Sequence, residues 1–244
     1  MNGTWTVHDL AGKRADVYQP AARPRFGVLY LHPVGLETLV GNAAFTRLFD
    51  ELGLGCVCPL GQRSWWADRI CPEFDARKTA ERYLLDDVVP HFRTLWGLAP
   101  TTIGLLGISM GGQGALRLAF KHPQTFPVAA GIASAIEYHH LYSHGTPIDE
   151  MYDSKEQARQ DTALLHVHPS HYPPHLFFCV DPGDADWWRG NDRLHEKLAA
   201  LGIPHTCDLT TRAGGHSWDY FNAMADRAVR FVHDGLVEMS RRLL

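Results

Sequence analysis

Residues 101–123 read TTIGLLGISMGGQGALRLAFKHP. An apolar run from Ile103 to Ile108 leads straight into Ser109, and a helical pattern (Ala115, Leu116, Leu118, Ala119) follows and closes before Pro123. Gly107-Ile-Ser109-Met-Gly111 fits G-x-S-x-G, in which a serine is perched on a sharp turn between a strand and a helix. The turn strains the serine backbone, and a side chain two positions before or after it would meet the neighbouring strand or helix, which accounts for the glycines. A helix that starts at the serine turns its positive end and unpaired amides toward a developing oxyanion. A dinucleotide-binding turn is also rich in glycine. Its spacing, however, is G-x-G-x-x-G and it sits in a first βαβ unit. Neither condition holds here.

Outward from this segment, short apolar runs alternate with helical patterns. Residues 4–18 alternate apolar and polar around Gly12-Lys13, as an opening hairpin does. Strands are expected at Phe26 to Leu31, Gly55 to Pro59, Val128 to Ala133, Leu176 to Asp181 and His205 to Leu209. Helices are expected at Ala43 to Leu52, Arg77 to Trp96 with a kink at Pro90, Asn191 to Leu201 and Trp218 to Met239. A further helix is expected near Asp149 to Leu165, inside an otherwise irregular stretch, 136–175. Strands alternating with helices imply an α/β fold, a mostly parallel sheet covered on both faces. No repeat or linker divides the chain, so residues 1–244 are expected to form a single domain.

The bulk numbers exclude several classes. The 244 residues are 45% hydrophobic and 20% charged, with a formal net charge of -4. No basic face is expected for nucleic acid or an anionic membrane, and no run of apolar residues is long enough to span a bilayer. The amino-terminal residues lack the pattern of a secretory signal, and the five cysteines are odd in number. Both features suggest reduced thiols in a cytoplasmic protein. Cys56-Val-Cys58 lies in a strand, where its two side chains are expected to face apart rather than form a redox pair.

A serine hydroxyl is a poor nucleophile until a base takes its proton, and that base needs an orienting acid. In a sheet of this kind the catalytic groups lie on loops at the carboxyl ends of strands, in the order Ser, acid, His. The loop after Leu176-Phe-Phe-Cys-Val carries Asp181-Pro-Gly-Asp184-Ala-Asp186-Trp187-Trp188, and Gly214-Gly215-His216-Ser217-Trp218 opens the last helix. His216 is therefore the candidate base. Three aspartates compete for the acid; Asp181 suits a strand end and Asp184 a turn cap. The Met110 amide, next to the nucleophile, and an amide of the loop His32-Pro-Val-Gly35-Leu36-Glu37 are the candidate oxyanion donors, with Gly35 and Leu36 foremost. This chemistry needs no metal or organic cofactor.

Together, HPVGLE (32–37), GISMGGQGALRLAFKHP (107–123), DPGDADWW (181–188) and GGHSWDYF (214–221) resemble the esterase D branch of the α/β-hydrolases. That branch includes S-formylglutathione hydrolases, feruloyl and acetyl esterases, and mycolyltransferases. The resemblance covers nearly the whole chain and implies an α/β-hydrolase fold with little or no separate lid. The family's D-x-G-x-x-D segment supplies the acid at its last aspartate, which maps onto Asp186, with Asp184 second. Its H-S-[YW] segment maps onto His216, and its Gly-Leu oxyanion loop onto Gly35 and Leu36. Members read S-M-G-G-H/Y-G-A-L where this chain has Gln113, a departure on the wall of the expected pocket.

The resemblance implies a serine esterase acting on small acyl, aryl or sugar esters, or thioesters, through an acyl-enzyme. Acyl transfer by the same three residues, and a non-catalytic binding protein on a hydrolase fold, are the rival readings. The expected partner is a small-molecule ester, with no nucleic acid and no membrane, and a homodimer is compatible with the sequence. Trp65, Trp66, Trp187 and Trp218 fall on loops beside the active-site strands and are candidates, with Gln113, for contact with substrate. His166, His168, His171 and His175 have spacing that could ligate a metal, but an irregular loop without a cysteine favours a structural reading.

Overall fold

The computed structural model describes residues 3–242. Its first hairpin pairs β1 (Thr4–Leu10) with β2 (Lys13–Gln19), antiparallel, Leu10 opposite Lys13. The turn residues Ala11 and Gly12 both have positive φ (54° and 78°), the backbone whose twist matches a two-residue hairpin. Then come β3 (Gly27–Leu31), α1 (Ala43–Leu52) and β4 (Gly55–Pro59). The Asn42 side chain accepts from the Ala44 amide (3.0 Å) and caps α1.

The expected helix over 77–96 begins at Ala80 and has three parts: α2 (Ala80–Tyr83), a π turn (Leu84–Val88) and α3 (Val89–Trp96). The reason lies at Pro90. Proline cannot donate a hydrogen bond, and its ring crowds the carbonyl four residues back. The π turn just before it lets the Val89 amide reach the Leu84 carbonyl, five residues back. The remaining elements are β5 (Ile103–Ile108), α4 (Met110–Lys121), β6 (Val128–Ile132), α5 (Ile148–Met151), α6 (Lys155–Gln160), β7 (His175–Cys179), α7 (Trp188–Ala200), β8 (Thr206–Asp208) and α8 (Trp218–Arg242).

All eight strands join one sheet in the order β1-β2-β4-β3-β5-β6-β7-β8. β2 runs antiparallel to both of its neighbours, β1 and β4, and everything from β4 to β8 is parallel. Alternate strand residues feed two cores. Leu29, Leu31, Leu105 and Val57 pack with Phe92 of α3, Leu116 of α4 and Leu194 of α7. Val28, Tyr30, Leu106 and Ile108 pack with Phe45 of α1 and Phe221 and Val232 of α8. A fully buried side chain of this kind contributes about 1.5–3 kcal/mol. The sheet therefore carries two apolar faces, each covered by its own helices, as an α/β-hydrolase fold requires. None of the described helices is long and apolar enough to cross a membrane.

Two expectations are corrected here. Cys56 and Cys58 share a face, with sulfurs 3.7 Å apart among buried residues, because residues two apart on a pleated strand point the same way. The expected helix over 149–165 is broken into α5, α6 and a single 3₁₀ turn (Ala163–Leu165). The break falls at Tyr152, whose buried hydroxyl bonds Asp161 (2.7 Å) and the Tyr138 hydroxyl (2.8 Å). Ser154 then recaps the chain by accepting from the Gln157 amide (3.2 Å). Satisfying those buried groups outweighs helix propagation. Arg117 of α4, buried, ion-pairs with Glu81 and Asp161 and so ties this segment to the nucleophile helix.

Candidate active site

β3 and β5 are neighbours, yet the chain leaves β3 in one direction to β4 and returns to β5 on the other side. Such a reversal opens a crevice at the carboxyl ends of the two strands. Ser109 stands there, between β5 and α4, at φ 56° and ψ -115°. This is a strained conformation for a residue with a side chain, and its neighbours hold it in place. The Ser109 amide donates to the Ile132 carbonyl (2.9 Å), and its own carbonyl accepts from the Ala135 (3.0 Å) and Gln113 (3.1 Å) amides. A Cβ on Gly107 would overlap the Gly111 carbonyl, and one on Gly111 would overlap the Leu31 carbonyl. The turn closes only without them.

Ser109 is 4% exposed. Its Oγ lies 2.9 Å from His216 Nε2, and His216 Nδ1 lies 2.7 Å from Asp184 Oδ2. The carboxylate beside the histidine is thus Asp184, not the expected Asp186, which is exposed two residues further on. Asp184 is buried and does two things at once. Its Oδ2 faces the imidazole while its Oδ1 accepts from the Trp187 amide (3.1 Å) at the head of α7. The position that suits a turn cap is the same position that faces the histidine.

Asp181 organises the loop around them. Its carboxylate accepts from the amides of Gly183 (2.6 Å), Ala213 (2.6 Å) and Gly215 (2.9 Å), joining the Asp184 loop to the His216 loop. Burial would raise its pKa, but the three amides outweigh that and hold it below the ordinary carboxylate value. Phe221 packs edge-on against the His216 ring at 5.2 Å. Neither role has a motif of its own; only the crowding of Asp181 and Asp184 into one short turn hinted at it.

The oxyanion loop is also partly corrected. The Leu36 amide donates to the Pro33 carbonyl (3.0 Å) in a turn with Leu36 at φ 67°, so this expected donor is already spent. The same carbonyl accepts from Nδ1 of His32 (2.7 Å), and Nε2 of His32 accepts from the Gly61 amide (3.0 Å). These two bonds fix the His32 tautomer. Burial pushes its pKa down to about 4, against the smaller pull of the carbonyl. Met110 opens α4 directly after Ser109, and Gly35 lies in the turn after β3.

Of the five candidate substrate contacts, two have no exposed surface. Trp66 is fully buried against His32 and donates from Nε1 to the His32 carbonyl (3.3 Å). Gln113 is fully buried, donating to the Trp65 carbonyl (3.1 Å) and accepting from the Ala163 amide (3.2 Å). Trp65 is buried and stacks on Tyr138 at 4.9 Å. Trp66 and Gln113, with no accessible surface, brace the wall, whereas Trp65 keeps about as much exposure as Ser109. Trp187 and Trp218 are half-buried, the first beside Asp184 and the second against Phe221 (5.4 Å).

Among the described residues, His166, His168, His171 and His175 do not form a ligand group. His166 pairs with Asp161 (3.0 Å), and His168 accepts from the Ser170 amide (3.2 Å). The side chains that do converge are His195, His205 and Cys207, and Glu137 with His139 and His140.

The crossover at β3 and β5, the strained serine and the sheet order define the chain as an α/β-hydrolase. It belongs to the Esterase family ("Putative esterase"), whose model matches residues 15–232, and it is accordingly a carboxylic ester hydrolase. No curated protein matches it by sequence. Among solved structures it is similar to an S-formylglutathione hydrolase from Agrobacterium tumefaciens (TM-score 0.79, 17% identity, covering 97% of this chain and 100% of that one). It is similar also to the fluorophosphonate-binding serine hydrolase FphF from Staphylococcus aureus (TM-score 0.76, 17% identity, 96% and 99% covered). A ferulic acid esterase shares the fold as well (TM-score 0.76, 14% identity, 96% and 98% covered).

Proposed function

We propose that Ser109, His216 and Asp184 act as nucleophile, base and orienting acid in the hydrolysis of carboxylic esters through an acyl-enzyme. The observation that carries this is the unbroken line of contacts from Ser109 Oγ through His216 to Asp184, 2.9 and 2.7 Å. His216 takes the serine proton as Oγ attacks the ester carbonyl, and the tetrahedral oxyanion is held by the Met110 amide and an amide of the 33–35 turn. His216 then protonates the departing alcohol, and water repeats the sequence to release the acid. Asp184 keeps the Nδ1 proton in place and stabilises the imidazolium as it forms.

The side chain of His216 is 31% exposed, so water reaches the base, and an alcohol acceptor reaches it by the same route. Adding a candidate acceptor alcohol and following the products tests that choice. Trp187, three residues past Asp184, and Trp218, two past His216, remain the candidates for contact with small acyl or aryl esters, or thioesters of similar size. The nucleophile is tested with Ser109→Ala: p-nitrophenyl acetate hydrolysis drops by about 10⁴-fold or more while the fold is retained. Near-wild-type turnover in the folded variant, or fluorophosphonate labelling elsewhere than Ser109, defeats the assignment.

A further inference from the structure

Away from the triad, α7 and β8 bring together three side chains that the esterase reaction does not use. His195 lies about 10 Å along α7 from Trp188, at 1.5 Å per residue. Its Nδ1 is 2.8 Å from His205 Nε2 and 3.3 Å from Cys207 Sγ. The three donor atoms all lie within 4.8 Å of one another, and all three residues are half-buried, so the group is reachable from solvent.

We propose that His195, His205 and Cys207 form a binding site for a thiophilic divalent cation of the zinc type, with water in the fourth position. Three features of the cluster argue for it. First, His205 is oriented as a ligand. Its Nδ1 donates to the Ile203 carbonyl (2.8 Å), which leaves the Nε2 lone pair facing the cluster; a metal-bound histidine is steadied in the same way. Its ring is also stacked on Phe178 (5.7 Å, 11° between planes). Second, proton bookkeeping leaves the cluster short. The single proton on His195 Nδ1 can serve His205 or Cys207, not both, whereas a cation uses all three lone pairs. Third, the spacing is close to what the ion needs. Tetrahedral zinc with nitrogen and sulfur ligands sets N···N at about 3.3 Å and N···S at about 3.6 Å. The His195–His205 and His195–Cys207 pairs fall short of those spacings by about half an ångström or less, a side-chain adjustment, and the third pair lies within 4.8 Å.

Asp192 lies one turn before His195 on α7, so its carboxylate adds negative charge on the same side. Binding would fasten the middle of α7 to the edge strand β8.

The test is titration of the reduced, metal-free full chain with Co²⁺ alone. A thiolate-to-cobalt charge-transfer band in the near ultraviolet, saturating at one-to-one and bleached by Zn²⁺, is the expected result. Cys207→Ser abolishes the band, and His205→Ala and His195→Ala weaken binding by about tenfold or more in competition with a chelating dye. Cys71→Ser, at a buried thiol elsewhere, leaves the band unchanged. Esterase turnover of His205→Ala stays at the wild-type level, showing that the variant is folded, and Zn²⁺ raises the Tm of the wild type but not of this variant. Absence of the band in the wild type, or its survival in Cys207→Ser, overturns the proposal and leaves the three side chains as a hydrogen-bonded brace.

Discussion

The two loops that meet at the active site were built under different rules. At the serine turn, Gly107 to Gly114, geometry allows almost no choice. Side chains at 107 and 111 would overlap backbone carbonyls, and Ser109 itself is held at φ 56°. In the loop after β7, Asp181, Asp184 and Asp186 are chemically equal, and hydrogen bonding alone decides between them. Asp181 is taken by three backbone amides, Asp184 by His216 and the α7 amide, and Asp186 is left to solvent. Steric necessity writes itself into residue types, whereas a choice among identical carboxylates depends on where a second loop lands.

Substitutions separate the two rules. Gly111→Ala has the largest effect, because its Cβ meets the Leu31 carbonyl, a backbone atom of a central strand that cannot yield cheaply. We expect destabilisation by more than about 4 kcal/mol or no folded protein at all. A urea melt that matches the wild type would break the steric half of the comparison. Next comes the loop after β7. Asp184→Asn keeps an oxygen to accept from the Trp187 amide but loses the charge facing His216, so kcat falls by about 10⁴-fold with little change in Tm. Asp186→Asn stays within about twofold. If the larger loss follows Asp186, the hydrogen-bonded arrangement is not the working one.

Legibility follows the same division. The alternating strands, the serine turn and the place of His216 could be read because periodicity and backbone strain constrain residue types one by one. The family's D-x-G-x-x-D spacing points to Asp186 over Asp184 because a spacing rule cannot tell which carboxylate turns inward. Gln113, four residues past the nucleophile, and Trp66, on a loop beside an active-site strand, read as pocket residues, but both turn into the core and spend their polar atoms there. The break at Tyr152 was invisible for a related reason: its partners Asp161 and Tyr138 are bonded through the tertiary structure, and helical periodicity carries no record of them. Likewise, Cys207 joins His195 and His205 only once β8 lies beside α7.

The smallest effect sharpens the comparison on the opposite side of Ser109, where the loop after β3 depends on a histidine that must stay neutral. His32 accepts the Gly61 amide at Nε2 and donates from Nδ1 to the Pro33 carbonyl. A second proton would set a donor against a donor. Burial pushes its pKa down to about 4, while in the unfolded chain it returns to about 6.5. Above that ordinary value both states are neutral and the group is indifferent to pH. As pH falls below it the unfolded chain binds a proton that the folded chain refuses, so stability drains away until the folded pKa is reached. The shift corresponds to about 3 kcal/mol lost between about pH 6.5 and 4. His32→Gln, which retains an acceptor for the Gly61 amide, has a lower stability at neutral pH but should lack this slope. Urea unfolding of both proteins between about pH 7.5 and 4.5 measures the difference directly. Parallel curves would mean that His32 is protonated in the folded protein and that the β3 loop is held by something other than its neutral imidazole.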